Sequence, residues 1–257
     1  MSAAAQVAVL SRRSLIGTIR QPQTWIPGLF FPLLLAAVYT SQFAQAVRLE
    51  GFPEVDSFLD FLVPASVLQG VAFAANNGAA ELARDIEDGF FDRLLSAPVW
   101  RASILVGRLA GSAVFAGVQA IALILVFLIF GATIAAGVGG VAVIVVVAIL
   151  LALAIGGLGC AVAFRTGSQE AIQAAFPLIF VLLFVSSAFF PTSLMDGWYG
   201  AVARNNPITW IVDPTRRLVI EGFDWSDAAS AIAITGALAV VAIAIALTQL
   251  RWRLAQR

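Results

Sequence analysis

Lysine and histidine are missing from this chain, and all 15 basic residues are arginine. A phosphate-cradling P-loop needs a lysine. Serine and cysteine nucleophiles are commonly activated by a histidine base, and metal sites favour histidine and cysteine. The one cysteine, Cys160, lies in an apolar run and has no partner for an internal disulfide. These gaps argue against an ATPase, a triad hydrolase or a redox enzyme acting alone. Charge is scarce as well: 12% of residues are charged, about half the share of a soluble domain. Such a chain could not cover a water-exposed surface. What is present in abundance is apolar, with 61% hydrophobic residues among 257 and a mean hydropathy of +0.96. Polar residues cluster between long apolar runs, the pattern of a polytopic membrane protein.

A spanning helix needs about 20 mostly apolar residues. Six runs approach that length, at 26–43, 58–80, 109–130, 138–164, 171–190 and 228–250. The first carries Pro27 and Pro32, and the second carries Asp60, Pro64, Asn76 and Asn77. Helix is dictated by the solvent rather than by propensity, because lipid offers no partner to a free backbone N–H or C=O. The Val/Ile-rich run 138–147 would suggest a strand in water, but it does not alternate and is too long. The expected fold class is therefore all-α and polytopic, with six transmembrane helices.

Arginine placement sets the expected orientation. With the N-terminus inside, eleven arginines fall in inner segments, and only Arg48, Arg204, Arg216 and Arg217 fall outside. Six acids lie inside and nine outside, so the zero net charge divides into +5 within and −5 without. Both termini are expected to be cytoplasmic at a plasma membrane. Ser11-Arg12-Arg13-Ser14-Leu15-Ile16 has the look of a twin-Arg export signal, and Ala44-Gln45-Ala46 of a cleavage site. However, Pro22 and polar residues separate the arginine pair from the apolar run, and cleavage would leave five spans. Inside-facing arginines ahead of a first span are the preferred reading. Residues 3–20 are open to an interfacial helix, although their apolar positions make no clean stripe. Segment 1–25 and tail 251–257 then flank a membrane domain of 26–250, with a large inner loop at 81–108 and a large outer segment at 191–227.

The inner loop alternates charge with a compact apolar cluster. Gly89 permits a break after the second span. Phe90/Leu94 and Phe91/Leu95 are i, i+4 pairs that one short helix presents together, and Pro98 ends it. Two readings stand: a helix inserted into a groove of a soluble partner, or a loop whose phenylalanines rest among lipid headgroups.

Longer motifs carry a family signature. Asp60-Phe61-Leu62-Val63-Pro64, Glu87-Asp88-Gly89-Phe90-Phe91-Asp92-Arg93-Leu94, Ala97-Pro98-Val99-Trp100-Arg101 and Val106-Gly107-Arg108 recur in order. After the fifth span come Ser187-Ala188-Phe189-Phe190-Pro191, Met195, Trp198, Asn206-Pro207-Ile208-Thr209 and Asp213-Pro214-Thr215-Arg216-Arg217. Together these resemble the ABC-2 family of ABC transporter permeases, most closely its drug-exporter branch of daunorubicin-resistance type. Pro64-Ala65 stands where the family commonly has Pro-Gly. The resemblance implies a coupling helix that docks on a separate nucleotide-binding subunit, centred on Glu87, Asp88, Gly89, Phe90, Phe91, Arg93 and Leu94. It also implies an outer re-entrant pair of helices carrying Asn206, Pro207, Asp213 and Arg216. The chain would be half of a twelve-span assembly with a second permease copy and two ATPase subunits. ATP and Mg²⁺ would bind on those subunits, and no cofactor or metal on this chain.

No charged residue is placed at mid-bilayer, where each costs about 2.5–3.5 kcal/mol, and this weighs against a proton-coupled carrier. Ser66, Gln69, Asn76, Asn77, Gln173, Ser186 and Ser187 are the uncharged polar groups within spans. They serve either as a substrate cleft or as helix-to-helix hydrogen bonds. Phe176, Phe180 and Phe184 recur every four residues and make a stripe, either a wall for apolar cargo or a packing face. Ala148, Ala152, Gly156 and Cys160 read as a close-packing seam. The expected function is the membrane subunit of an exporter that moves a hydrophobic or amphipathic compound outward past membrane lipids, with no nucleic-acid role. Alternatives are export of a lipid-linked glycan and an ATP-independent six-span transporter.

Overall fold

The computed structural model describes residues 2–256, which form ten α-helices joined by short connections that include two 3-10 turns. In chain order these are α1 (Ala3–Ile19), α2 (Pro22–Gln42), α3 (Phe58–Glu87), α4 (Phe90–Ser96) and α5 (Arg101–Ile129). There follow α6 (Gly137–Thr166), α7 (Gln169–Phe184), α8 (Gly197–Arg204), α9 (Pro207–Ile220) and α10 (Trp225–Ala255). Five of them, α2, α3, α5, α6 and α10, are long and apolar enough to cross a membrane.

Local chemistry sets the boundaries. The Ser57 hydroxyl accepts from the Leu59 N–H to start α3, and Gly89, at φ +70°, turns the chain into α4. α6 stops at Gly167, also left-handed at φ +66°, and the Ser168 hydroxyl caps α7 by accepting from the Ala171 N–H. Asp224 caps α10 through the N–H groups of Ser226 and Asp227; these bonds hold its carboxyl below the usual range.

α3 is the hub. Of its most apolar window 89% is buried, against 17% for α2, so α3 carries the core and α2 lies at the edge. It packs on α2, α5, α6 and α7, while α6 packs on α3, α5 and α10. The bundle thus has two layers, α2–α3–α7 and α5–α6–α10. The expected small-residue seam is buried throughout: Ala148, Ala152, Gly156 and Cys160 all face the interior. The same helix uses Gly157 and Gly159 as well. A Cβ at Gly157 would lie 3.0 Å from the Ala242 backbone, and one at Gly159 would lie 2.5 Å from the Ala79 Cβ.

Two details go beyond the sequence reading. The fifth apolar run was read as a span to 190, yet α7 ends at Phe184. Its 16 residues rise about 24 Å, short of a ~30 Å hydrocarbon layer, and the chain beyond it turns into α8 and α9. Residues 3–20 form a helix, and one side of it rests on the bundle while only Ser14 and Thr18 are buried. α1 lies along α5, where a Cβ at Gly107 would strike Leu10 at 2.6 Å and one at Gly111 would strike Ser14 at 2.7 Å.

Candidate functional site

Chemistry concentrates at the two ends of the bundle. At one end α1, α3, α4 and α5 meet around Arg108, which the Gly107/Gly111 contact draws against α1. Its guanidinium pairs with Glu81 and with Asp85, both on α3, and reaches toward the Ser14 hydroxyl on α1. Arg13 of α1 closes the cluster with a bidentate bond to Asp85 at 2.9 and 3.0 Å, which holds its own guanidinium above the usual range. The Thr18 hydroxyl lies 3.3 Å from Glu81. Two acids and two arginines thus face one another, which gives Arg108 two carboxyl partners although it is only 7% exposed.

Helix α4 is fastened to this cluster. Arg13 stacks 3.9 Å above the Phe90 ring, with Arg93 on the same ring at 5.6 Å. Phe91 is wholly buried and lies 5.8 Å from the Phe164 ring of α6. Leu94 and Leu95 pack on the same cluster. Of the apolar face of α4, for which the sequence left open a partner groove or the headgroup level, Phe91 is turned into the bundle and Phe90, Leu94 and Leu95 are half-buried. Contact between Phe91 and another chain is closed off in this arrangement, and Phe91 serves as the anchor of α4. Glu87 is also engaged, since its carboxylate accepts from the Gln169 N–H at 2.7 Å and so caps α7. Arg84 bonds the Gln169 side chain at 3.1 Å. The outward surface is left to Asp88, Arg93, Ser96 to Pro98 and Trp100, with Gly89, Phe90 and Leu94 half-buried.

At the opposite end α8 and α9 fold back against the end of α7. The Asn206 side-chain N–H groups donate to the carbonyls of Leu182 (2.7 Å) and Val185 (2.5 Å). Its side-chain oxygen accepts from the Ile208 N–H and caps α9, with Pro207 at the first helical position, where no N–H is needed. Arg216 donates to the carbonyls of Phe61 (3.1 Å), Ser187 (2.8 Å) and Ala188 (2.9 Å) and pairs with Asp213 at 3.0 Å. It also covers the Phe61 ring at 3.7 Å. Burial pushes this guanidinium down to about 10, so it remains charged at neutral pH. One Asn and one Arg thereby satisfy four carbonyls, of Leu182, Val185, Ser187 and Ala188, that the break after α7 would leave bare. The Tyr199 hydroxyl adds a bond to the Phe184 carbonyl at 2.6 Å.

Between the ends, the candidate cleft residues do not form one surface. Ser66, Gln69, Ser186 and Ser187 are buried inside the chain, and both polar atoms of Gln69 lack a partner. Asn77 donates to the Thr24 carbonyl at 2.5 Å and serves as a helix-to-helix bond between α3 and α2. Gln173 is exposed. The aromatic stripe does assemble: Phe176, Phe180 and Phe184 continue through Phe73 and Phe31 on one side and Phe189 and Tyr39 on the other, with ring centroids 5.0–6.3 Å apart. This aromatic wall joins α2, α3 and α7.

Sequence reasoning missed the Arg13–Asp85–Arg108–Glu81 cluster. Its signal was present, because Gly107 and Gly111 bracket Arg108 at a small-xxx-small spacing.

The family model described as ABC-2 type transporter matches residues 5–219. The chain is 30% identical to ycf38 of Cyanophora paradoxa, named as a transport permease, over 83% of this chain and 73% of that protein. It is 23% identical to the daunorubicin resistance ABC transporter permease protein DrrB1 of Streptomyces coeruleorubidus, over 77% of this chain and 69% of the relative. A second ycf38, of Porphyra purpurea, is 25% identical over 90% of this chain and 79% of its own length.

Proposed function

The chain belongs to the ABC-2 type transporter family, as a multi-pass membrane permease component that is not itself an ATPase, and we propose that it exports a hydrophobic or amphipathic compound. Two ATPase subunits, with ATP and Mg²⁺ bound on them, press on the α4 end. A second permease copy faces the α2–α3–α7 layer, and the two copies open a path alternately inward and outward. The similarity to a daunorubicin-resistance permease and the aromatic wall support an apolar or amphipathic cargo, because rings give contact area without strict polar matching. Burial of Ser66, Gln69 and Ser187 removes the polar surface that a glycan would need.

The observation that carries the coupling is the clamp on α4. Phe91 roots the helix in the core, and Arg13 ties Phe90 to the charge cluster shared by α1, α3 and α5. A force on α4 is then passed to three helices as one body, because packed interiors do not deform continuously. Docking itself falls to the exposed groups Asp88 and Arg93. Reversing both charges, Asp88→Arg with Arg93→Glu, is expected to abolish co-purification of the ATPase while leaving membrane insertion and thermal stability unchanged. Retained co-purification would remove α4 from the docking surface.

A further inference from the structure

A second feature lies behind the aromatic wall, sharing Phe176 with it, on the flank where α7 leans on α3 and α6 and leaves a gap toward α10. The gap is a cavity of about 380 Å³, within the range that holds small organic ligands. It follows α7 from Ile172 to Leu182, a rise of about 15 Å, so it is a slot. Leu158, Leu178 and Val241 at its rim are 50%, 65% and 57% exposed, so the mouth opens on the membrane-facing side. No charged residue lines it, and a charged headgroup inside would find no counter-ion. The one amide in the lining is Asn76, 7% exposed. Unlike its neighbour Asn77, which bonds Thr24, Asn76 makes no hydrogen bond among the described residues. An unpaired amide in an apolar interior costs free energy that a ligand oxygen would recover.

We propose that this slot binds a single hydrocarbon chain bearing one uncharged hydrogen-bonding group, such as a hydroxyl or ester, which enters from the bilayer and bonds Asn76. The site does not depend on the export reading, since it needs neither a partner subunit nor nucleotide. Its chemistry is shared by a bilayer lipid and by an amphipathic cargo.

The test uses the full chain reconstituted in phospholipid nanodiscs and a hexadecyl alcohol carrying a diazirine, with the matching alkane as control. Expected are saturable photolabelling confined to α6, α7 and α10 around the slot, and a preference of about five-fold for the alcohol over the alkane. Asn76→Leu should erase that preference while leaving the alkane signal. Ala175→Phe, which fills the slot at its partly exposed wall, should remove both signals. Competition by excess diacyl phospholipid identifies a lipid site, and competition by unlabelled alcohol alone identifies a site for transported amphiphiles. Labelling that does not saturate, spreads over the exposed faces of α5 and α10, or is absent because a second copy fills the gap overturns the proposal. So does an alcohol preference that survives Asn76→Leu.

Discussion

Arg108 holds a charge where little water reaches, and Glu81, Asp85 and Arg13 make that tolerable. Removing one member leaves the others buried and uncompensated, which typically costs about 3–5 kcal/mol. Arg108→Ala is therefore expected to lower thermal stability in detergent by that amount. Arg108→Met combined with Glu81→Leu and Asp85→Leu should regain most of it, because apolar replacement of a whole buried cluster is often neutral. Arg13 is 45% exposed at its side chain, so Arg13→Ala should cost no more than about 1 kcal/mol. Thermal unfolding monitored by tryptophan fluorescence separates the cases; equal losses for Arg13→Ala and Arg108→Ala would place the energy elsewhere. Phe91 illustrates a different limit of reading residues one at a time. Its i, i+4 spacing with Leu95 showed that both share a face of α4, but spacing carries no information on whether that face meets solvent, a partner or the chain's own core.

Among elements, the α1–α5 contact is where shape decides most. A methyl group at Gly111 would meet the Ser14 Cβ at 2.7 Å and the Ser11 carbonyl at 2.9 Å, the latter fixed backbone. At Gly117, further along the same helix, the nearest atoms are the side-chain tip of Ile149 at 3.2 Å, which can shift. Gly111→Ala is expected to destabilise by about 1–3 kcal/mol through overpacking and to expose α1 to limited proteolysis. Gly117→Ala should change stability by no more than about 1 kcal/mol, since the gain in helix propensity offsets the contact. Matching proteolysis patterns for the two variants would refute the close-contact account. These elements also mark what was readable in advance. The helices α3, α5, α6 and α10 announce themselves because lipid permits little besides helix, and Gly89 and Pro98 bracket α4 as expected. The helix α1 was open to the sequence, but its docking on α5 was hidden because its buried side chains, Ser14 and Thr18, are polar and face charges on α3 and α5, so no apolar stripe forms. The early end of α7 was hidden for a non-local reason. Its apolar run continues to Phe190, but Asn206 and Arg216, more than twenty positions downstream, supply the bonds that let the backbone leave the helix.

For the whole molecule, zero net charge conceals a division between two ends. Among the described residues, the end that gathers α1, α4 and the last turns of α10 carries ten of the fourteen arginines, and the α8–α9 end carries nine of the fifteen acids. Insertion machinery retains arginine-rich short loops on the cytoplasmic side, and acids count for little in that choice. The four arginines at the α8–α9 end are weaker still as retention signals. Arg216 and Arg217 are bound to Asp213 and Asp227, and only Arg48 and Arg204 lack an acidic partner among the described salt bridges. The α4 end should therefore face the cytoplasm, where ATP is available to partner subunits. Cys160 is the one cysteine and is buried at 1% exposure, so a Cys160→Ala background permits single-site labelling. Trp198 and Trp100 stand at opposite ends, 76% and 54% exposed. In that background Trp198→Cys should react with a membrane-impermeant maleimide on intact cells, and Trp100→Cys only after permeabilisation. The reverse pattern would invert the topology and place α4 where no cytosolic ATPase could reach it, which would sink the coupling role together with the orientation. Labelling of both positions on intact cells would instead point to mixed insertion.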